Sequence, residues 1–304
     1  MGALAEVMVK TAGRRFRAGV DIGGTKVRIG LVDEAYEVAA LSEKLPVKDF
    51  ENASELFAAI AVEIQNQMDT VGGELIGVGL GCPGPLNAGH TKVMYTPNTP
   101  ILQYVPAVAE MERHVKVPVK MSNDANVFVL GEAMGGAAKG REYVYGITLG
   151  TGYGHGFVWN GRILSGAHGV ATEFGIAPYA DSTFEEFVSG RGLVRHYEQV
   201  SGKRLEGPEI FDRAQQGEAE ALAAWSMLGR YIAHSLVYVF HLLDPEIVVI
   251  GGSLAAGYDF FIDALRDELE PRILEGQRGE IHILPAALGD AAPIIGAAAL
   301  IQPD

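Results

Sequence analysis

The order of apolar and polar positions divides the chain into short strands and amphipathic helices. Strand-like runs open it at 16–21, 26–32 and 37–45, broken by Gly23–Gly24 and Asp33–Glu34. Leu56, Phe57, Ile60, Ile64 and Met68 then share one helical face. Residues 75–80 fit a buried strand, 105–115 a helix and 117–122 a strand, and a further helix starts at Asp124 and continues through Met134. A second strand pair lies at 143–149 and 155–159, and helices are expected at 183–199 and 217–243, the latter ending at Asp244–Pro245. A strand at 246–250, a helix at 260–273, a strand at 281–284 and a helix at 291–301 complete the pattern. Strands alternating with helices predict an α/β fold.

The pattern repeats. At a constant offset of 127, Gly19 meets Gly146, Ile22 meets Leu149, Gly23 meets Gly150 and Asp33 meets Asn160. Both segments read as strand, glycine turn, strand, polar turn. A duplicated hairpin implies two similar domains facing one cleft.

Length and composition narrow the function. The 304 residues, 48% hydrophobic and 20% charged, suit two modest globular domains. The net charge of −14 comes without a lysine or arginine cluster, which disfavours nucleic acid. The single cysteine, Cys82, excludes an intrachain disulfide and reads as a small buried residue. The first residues lack a signal-peptide apolar core, and the apolar stretch 291–301 is too short to span a bilayer. A cytoplasmic protein with no membrane partner is expected.

Four segments can carry chemistry. In 21–26, Asp21 ends a strand, and Gly23 and Gly24 let phosphate oxygens approach bare N–H groups. Thr25 adds a hydroxyl and Lys26 a charge, while Asp21 suits Mg²⁺ held through water. The turn with Gly150, Thr151 and Gly152 repeats this logic in the second half, and His155 beside it reads as a turn residue. Asp124 follows a strand and opens a helix, where it can cap the helix or accept a proton from a hydroxyl attacking phosphorus. Gly251 and Gly252 follow the strand 246–250 and leave room for a flat adenine. By contrast, the G-x-G-x-x-G match at 79–84 runs into Pro85 and a polar loop, with no helix to bind a pyrophosphate.

Together these motifs resemble the ROK family (repressors, open reading frames and sugar kinases) of the actin-like ATPase, or ribonuclease H-like, superfamily. The resemblance covers roughly 18–300 and runs in family order: DIGGTKVR at 21–28, GLGCPGP at 79–85, PNTP at 97–100, SNDAN at 122–126, LGTGYGHG at 149–156, GAHGVATEFG at 166–175, FEEFVSGRGL at 184–193 and DPEIVVIGGS at 244–253. It implies a two-domain fold with an ATP and sugar cleft between 16–123 plus 290–304 and 124–289. It also implies transfer of the ATP γ-phosphate to a hexose, usually at the 6-hydroxyl, with Asp124 as base. Gly84, Asn98, Asn123, Asp124, Glu173 and Glu185 would line the sugar site, with Glu186 a rival to Glu185 in alignment. The expected cofactors are ATP and Mg²⁺, and the expected partners a small sugar and a second copy of the chain.

The sequence departs from the family in one place. Ile176 stands where members commonly carry a histidine that touches the sugar and a structural zinc, and the cysteine segment that should follow is replaced by 177–183. No zinc site is therefore expected. Glucose is the default sugar, with mannose, allose, fructose and N-acetylated amino sugars open. The alternative is a non-catalytic sugar-binding or regulatory protein. A DNA-binding repressor is disfavoured by the acidic balance and by the roughly twenty residues before Asp21, fewer than a helix-turn-helix domain needs.

Overall fold

The computed structural model describes residues 13–96 and 99–302. They fall into two compact units, one drawn from 1–140, 161–171 and 287–304, the other from 141–160 and 172–286. The expected division at 123/124 differs from this. The helix opening at Asp124 belongs with the first unit because it is buried there against the chain's last helix.

In the first unit, β1 (Arg15–Ile22) pairs antiparallel with β2 (Lys26–Val32), and β2 with β3 (Val38–Leu41) and the two-residue β4 (Leu45–Pro46). The expected run 37–45 is therefore two strands. At the break, the Ser42 hydroxyl accepts from the Ile29 N–H at 3.0 Å and so replaces a ladder bond. On its other side β1 runs parallel to β5 (Glu74–Cys82), and β5 parallel to β6 (Val119–Asn123). The amphipathic helix α1 (Ala53–Val71) buries Leu56, Phe57, Ile60 and Ile64, and the Asn52 side chain caps it by accepting from the Glu55 N–H. The expected helix 105–115 shortens to α2 (Ala107–Glu112).

Helix α3 (Asp124–Gly135) is apolar on nearly every side, as a helix enclosed by protein must be. The last helix, Ala292–Ala299, packs against it and against β1 and β5 at backbone contact. Glycines make this approach possible. A Cβ at Gly79 would lie 1.7 Å from the Ala297 carbonyl oxygen, and one at Gly296 1.7 Å from that of Val127. The 79–84 motif is thus a packing device, with Gly79 serving the helix contact. The fully buried Glu132 closes the end of α3, accepting N–H groups from Ala137, Ala287 and Leu288.

The second unit repeats the strand order. In it, β7 (Tyr143–Leu149) pairs antiparallel with β8 (Tyr153–Trp159). A two-stranded hairpin follows, β9 (Pro178–Tyr179) and β10 (Ser182–Thr183). The helix expected at 183–199 is two, α4 (Phe184–Val188) and α5 (Gly190–Ser201), because Ser189 between them is extended. A short helix the sequence did not signal, α6 (Gly207–Gln215), precedes α7 (Ala219–Leu243). Strand β11 (Ile247–Gly251) lies parallel to β7, α8 (Tyr258–Leu269) follows, and β12 (His282–Pro285) lies parallel to β11. Each unit therefore builds two parallel strands onto one arm of a glycine-turned hairpin. Among the described residues, no helix is long and apolar enough to cross a membrane.

Candidate functional site

The sheet register brings Asp21 and Asp124 to one end of the first sheet. Asp21 pairs with Gly81, and Cys82 pairs with Asn123, so the ends of β1, β5 and β6 are adjacent. Asp124 comes next, on the first turn of α3, where ligands of α/β sheets bind. Asn123 is the cap residue: its side chain accepts from the Ala125 N–H at 2.9 Å. The Asp124 carboxylate shares that N–H at 2.8 Å. Asp124 remains accessible to solvent, yet loss of hydration raises its pKa, partly offset by backbone N–H groups. Asp21 is pushed up to about 6, first by burial, then by the charges of Asp124 and Asp290, with Lys44 opposing. Cys82 is fully buried, and burial pushes its thiol well up, so it is inert as a nucleophile.

The first glycine turn closes with the Gly23 N–H donating to the Lys26 carbonyl, and leaves Gly24, Thr25 and Lys26 exposed. Nearby charge comes from residues the sequence did not single out. Arg28 and Lys44 both bind Asp290, at 2.7 and 2.6 Å. Gly84 lies in the half-buried loop after β5, and Asn98 lies outside the described residues.

In the second unit the glycine turn and the acidic pair meet. Gly150 donates to the Gly152 carbonyl, and the Gly190 N–H donates to the Gly150 carbonyl. The Glu185 carboxylate accepts from the Tyr153 N–H at 3.1 Å and sits so close that a Cβ at Gly152 would lie 2.9 Å from it. Arg191, which the sequence reading missed, binds Glu185 at 2.9 Å, Glu186 at 2.7 Å and the Thr151 carbonyl at 3.4 Å. Both rival glutamates thus converge on one guanidinium, and only Glu185 also holds the turn.

Glu173 is joined to the same assembly through its neighbours. The Glu185 N–H donates to the Gly175 carbonyl at 2.8 Å. Thr172 holds φ of 69°, a rare conformation for a β-branched residue, with its hydroxyl on the His155 carbonyl at 3.1 Å. His155 is not a turn residue as expected but a buried strand residue, its Nδ1 bonded to the Tyr145 hydroxyl at 2.8 Å. Burial lowers its pKa to about 3, so the ring is neutral.

Beside this turn is a cavity of about 500 Å³, lined in part by Thr151, Arg191, Arg204, Phe211, Trp225 and Ser253. Gly251 and Gly252 turn the chain at its edge and leave the lining to Ser253 and Leu254. Gly252 has φ of 86° and lies against the Leu149 backbone, so a side chain has no room there.

Duplicated α/β units, each opening on a glycine-turned hairpin, define the actin-like ATPase fold. The chain belongs to the ROK family, whose model matches residues 17–304. It is similar to the glucokinase of Streptomyces coelicolor, at 32% identity over 94% of this chain and 98% of that protein. The N-acetyl-D-glucosamine kinase of Haemophilus influenzae is 31% identical, over 93% of this chain and 98% of that protein. A ROK family glucokinase from Streptomyces griseus, solved in complex with glucose and AMPPNP, superposes with a TM-score of 0.76 at 29% identity, covering 94% of this chain and 98% of that one.

Proposed function

We propose that the chain transfers the γ-phosphoryl group of ATP to a hexose hydroxyl, with the 6-hydroxyl of glucose as the first candidate and an N-acetylated amino sugar as the second. The observation that carries the reading is Asp124: an accessible carboxylate at the end of a parallel strand, with raised proton affinity and an oxygen fixed by a helix N–H. In the reaction, the sugar oxygen forms a bond to the γ-phosphorus, the bond to the β,γ-bridging oxygen breaks, and ADP leaves. Asp124 takes the hydroxyl proton as the oxygen attacks.

The other residues divide by chemistry. The N–H groups of Gly23, Gly24, Thr151 and Gly152 suit phosphate oxygens. The cavity beside Phe211 and Ser253 suits the nucleoside, with Gly251 and Gly252 turning the chain just ahead of the lining residues Ser253 and Leu254. Gly84, Asn98, Asn123, Glu173 and Glu185 suit sugar hydroxyls, which need both donors and acceptors. Asp21 and Asp124, two carboxylates at neighbouring strand ends with raised proton affinity, are a donor set suited to a hard cation. Asp21 would hold Mg²⁺ through water, and the ion would neutralise phosphate charge.

The test is a panel of hexoses and N-acetylated amino sugars with ATP and Mg²⁺, with the phosphate position located in the product by NMR. The reading expects a sugar 6-phosphate and stoichiometric ADP. Sugar binding without ADP formation for every member of the panel would support a non-catalytic binding protein instead.

A further inference from the structure

The hairpin β9–β10 contains only two residue pairs, too few to hold its own shape in water. Its turn also places Ala180 at φ of 51°, a conformation that alanine adopts at a cost. Something outside the hairpin must fix it, and the side chain of Tyr179 reaches it. The Tyr179 hydroxyl lies 2.6 Å from Nδ1 of His234 on α7. Nε2 of His234 lies 2.9 Å from a carboxylate oxygen of Glu268 on α8, which Arg272 also binds. A carboxylate only accepts, so Nε2 carries a proton; in the neutral ring Nδ1 then accepts from the tyrosine hydroxyl.

The same tyrosine acts on the opposite side. Its ring stacks on Phe184 with centroids 4.2 Å apart and planes at 22°. Phe184 is 2% exposed and begins α4, so Glu185 follows directly on a fixed side chain. The Phe184 N–H donates to Ala177, and that of Glu185 to Gly175. We infer that Tyr179, His234 and Glu268 form a polar clasp that ties the hairpin to two long helices and thereby positions Glu185 against the second glycine turn. The clasp touches no reacting atom, so these are positioning residues. Their kinetic effect rests on the phosphoryl transfer proposed above.

Two variants of the full chain test this, Tyr179→Phe, which keeps the stacked ring and removes only the hydroxyl, and His234→Gln. Hydrogen exchange should speed up about tenfold or more at 175–186 in both, with core amides of α7 unchanged. The sugar KM should rise about fivefold, the equivalent of one lost hydrogen bond, while the ATP KM stays within about twofold. The double variant should be no worse than the worse single, because the groups act as one unit. Unchanged exchange at 175–186 in Tyr179→Phe, or fully additive effects in the double variant, overturns the clasp. Should the wild type phosphorylate no sugar, the reaction proposed above fails, and the exchange measurement still decides the clasp. His234→Gln failing to fold leaves Tyr179→Phe to decide it.

Discussion

Asp21 and His155 bind protons more and less tightly, respectively, than they do in an unfolded chain, and the consequences for stability have opposite signs. Asp21 is pushed up to about 6 from the ordinary aspartate value of 3.8, so between those values the folded state holds a proton that the unfolded state has lost. Its contribution is therefore greatest at low pH and is lost as pH rises through that window. His155 titrates at about 3 against 6.5, so there the unfolded state holds the extra proton, and stability is lost as pH falls below about 6.5. In melting curves of the ligand-free protein, Asp21→Asn should raise Tm at pH 7 and leave it nearly unchanged at pH 4. A Tm gain that is equal at both pH values would show that Asp21 is not held in its charged, strained form. Asp21 and Asp124 are legible because the first ends a strand run and the second opens the helix after one, each in a recognisable motif. Arg191, Lys44 and Asp290 are not, since each is placed by a partner that only the fold brings near; Lys44 and Asp290 are 246 positions apart.

At the scale of elements, hydrophobic periodicity located most strands and long helices, and failed where tertiary contacts rule. The break at Ser189 interrupts an apolar pattern that runs on across it, and its cause is partly remote: Gly190 donates to the Gly150 carbonyl on another turn. Helix α6 opens with Gly207–Pro208 and is short and polar, so it carried little signal. The glycines of β5 looked like a nucleotide motif and are spacers instead. Adding one methyl group at Gly79 would place it inside the Ala297 carbonyl, which the last helix can relieve only by shifting off the sheet. Gly79→Ala should cost about 3 kcal/mol or more, at or beyond the upper end for overpacking. Chemical denaturation measures it, and a loss below about 1 kcal/mol would mean that the helix gives way easily.

The duplication is the feature of the whole molecule that the sequence displayed most directly. The echo between 19–33 and 146–160 corresponds to two antiparallel hairpins, each with a parallel strand on the first arm. The departure around Ile176 was visible too, but not what stands in its place, because Tyr179, His234 and Glu268 are spread over 90 positions of sequence. Among the described residues, no group of three or more His, Cys, Asp or Glu is arranged to hold a metal ion. With Ile176 in place of the histidine and 177–183 in place of the cysteine segment, the purified protein should carry no stoichiometric zinc, and its Tm should not respond to a strong chelator. One zinc per chain, with a Tm that drops on chelation, would show that folding depends on a metal.

The central claim is that Asp124 is the base of a phosphoryl transfer. Its amide analogue keeps the size and one acceptor oxygen but cannot take the proton. The most direct measurement is kcat of Asp124→Asn with the best sugar of the panel, beside the sugar Kd from calorimetry. The account predicts a fall in kcat of about 10²–10⁴ with Kd within about tenfold of wild type. A folded variant that keeps more than about a tenth of wild-type kcat would contradict it.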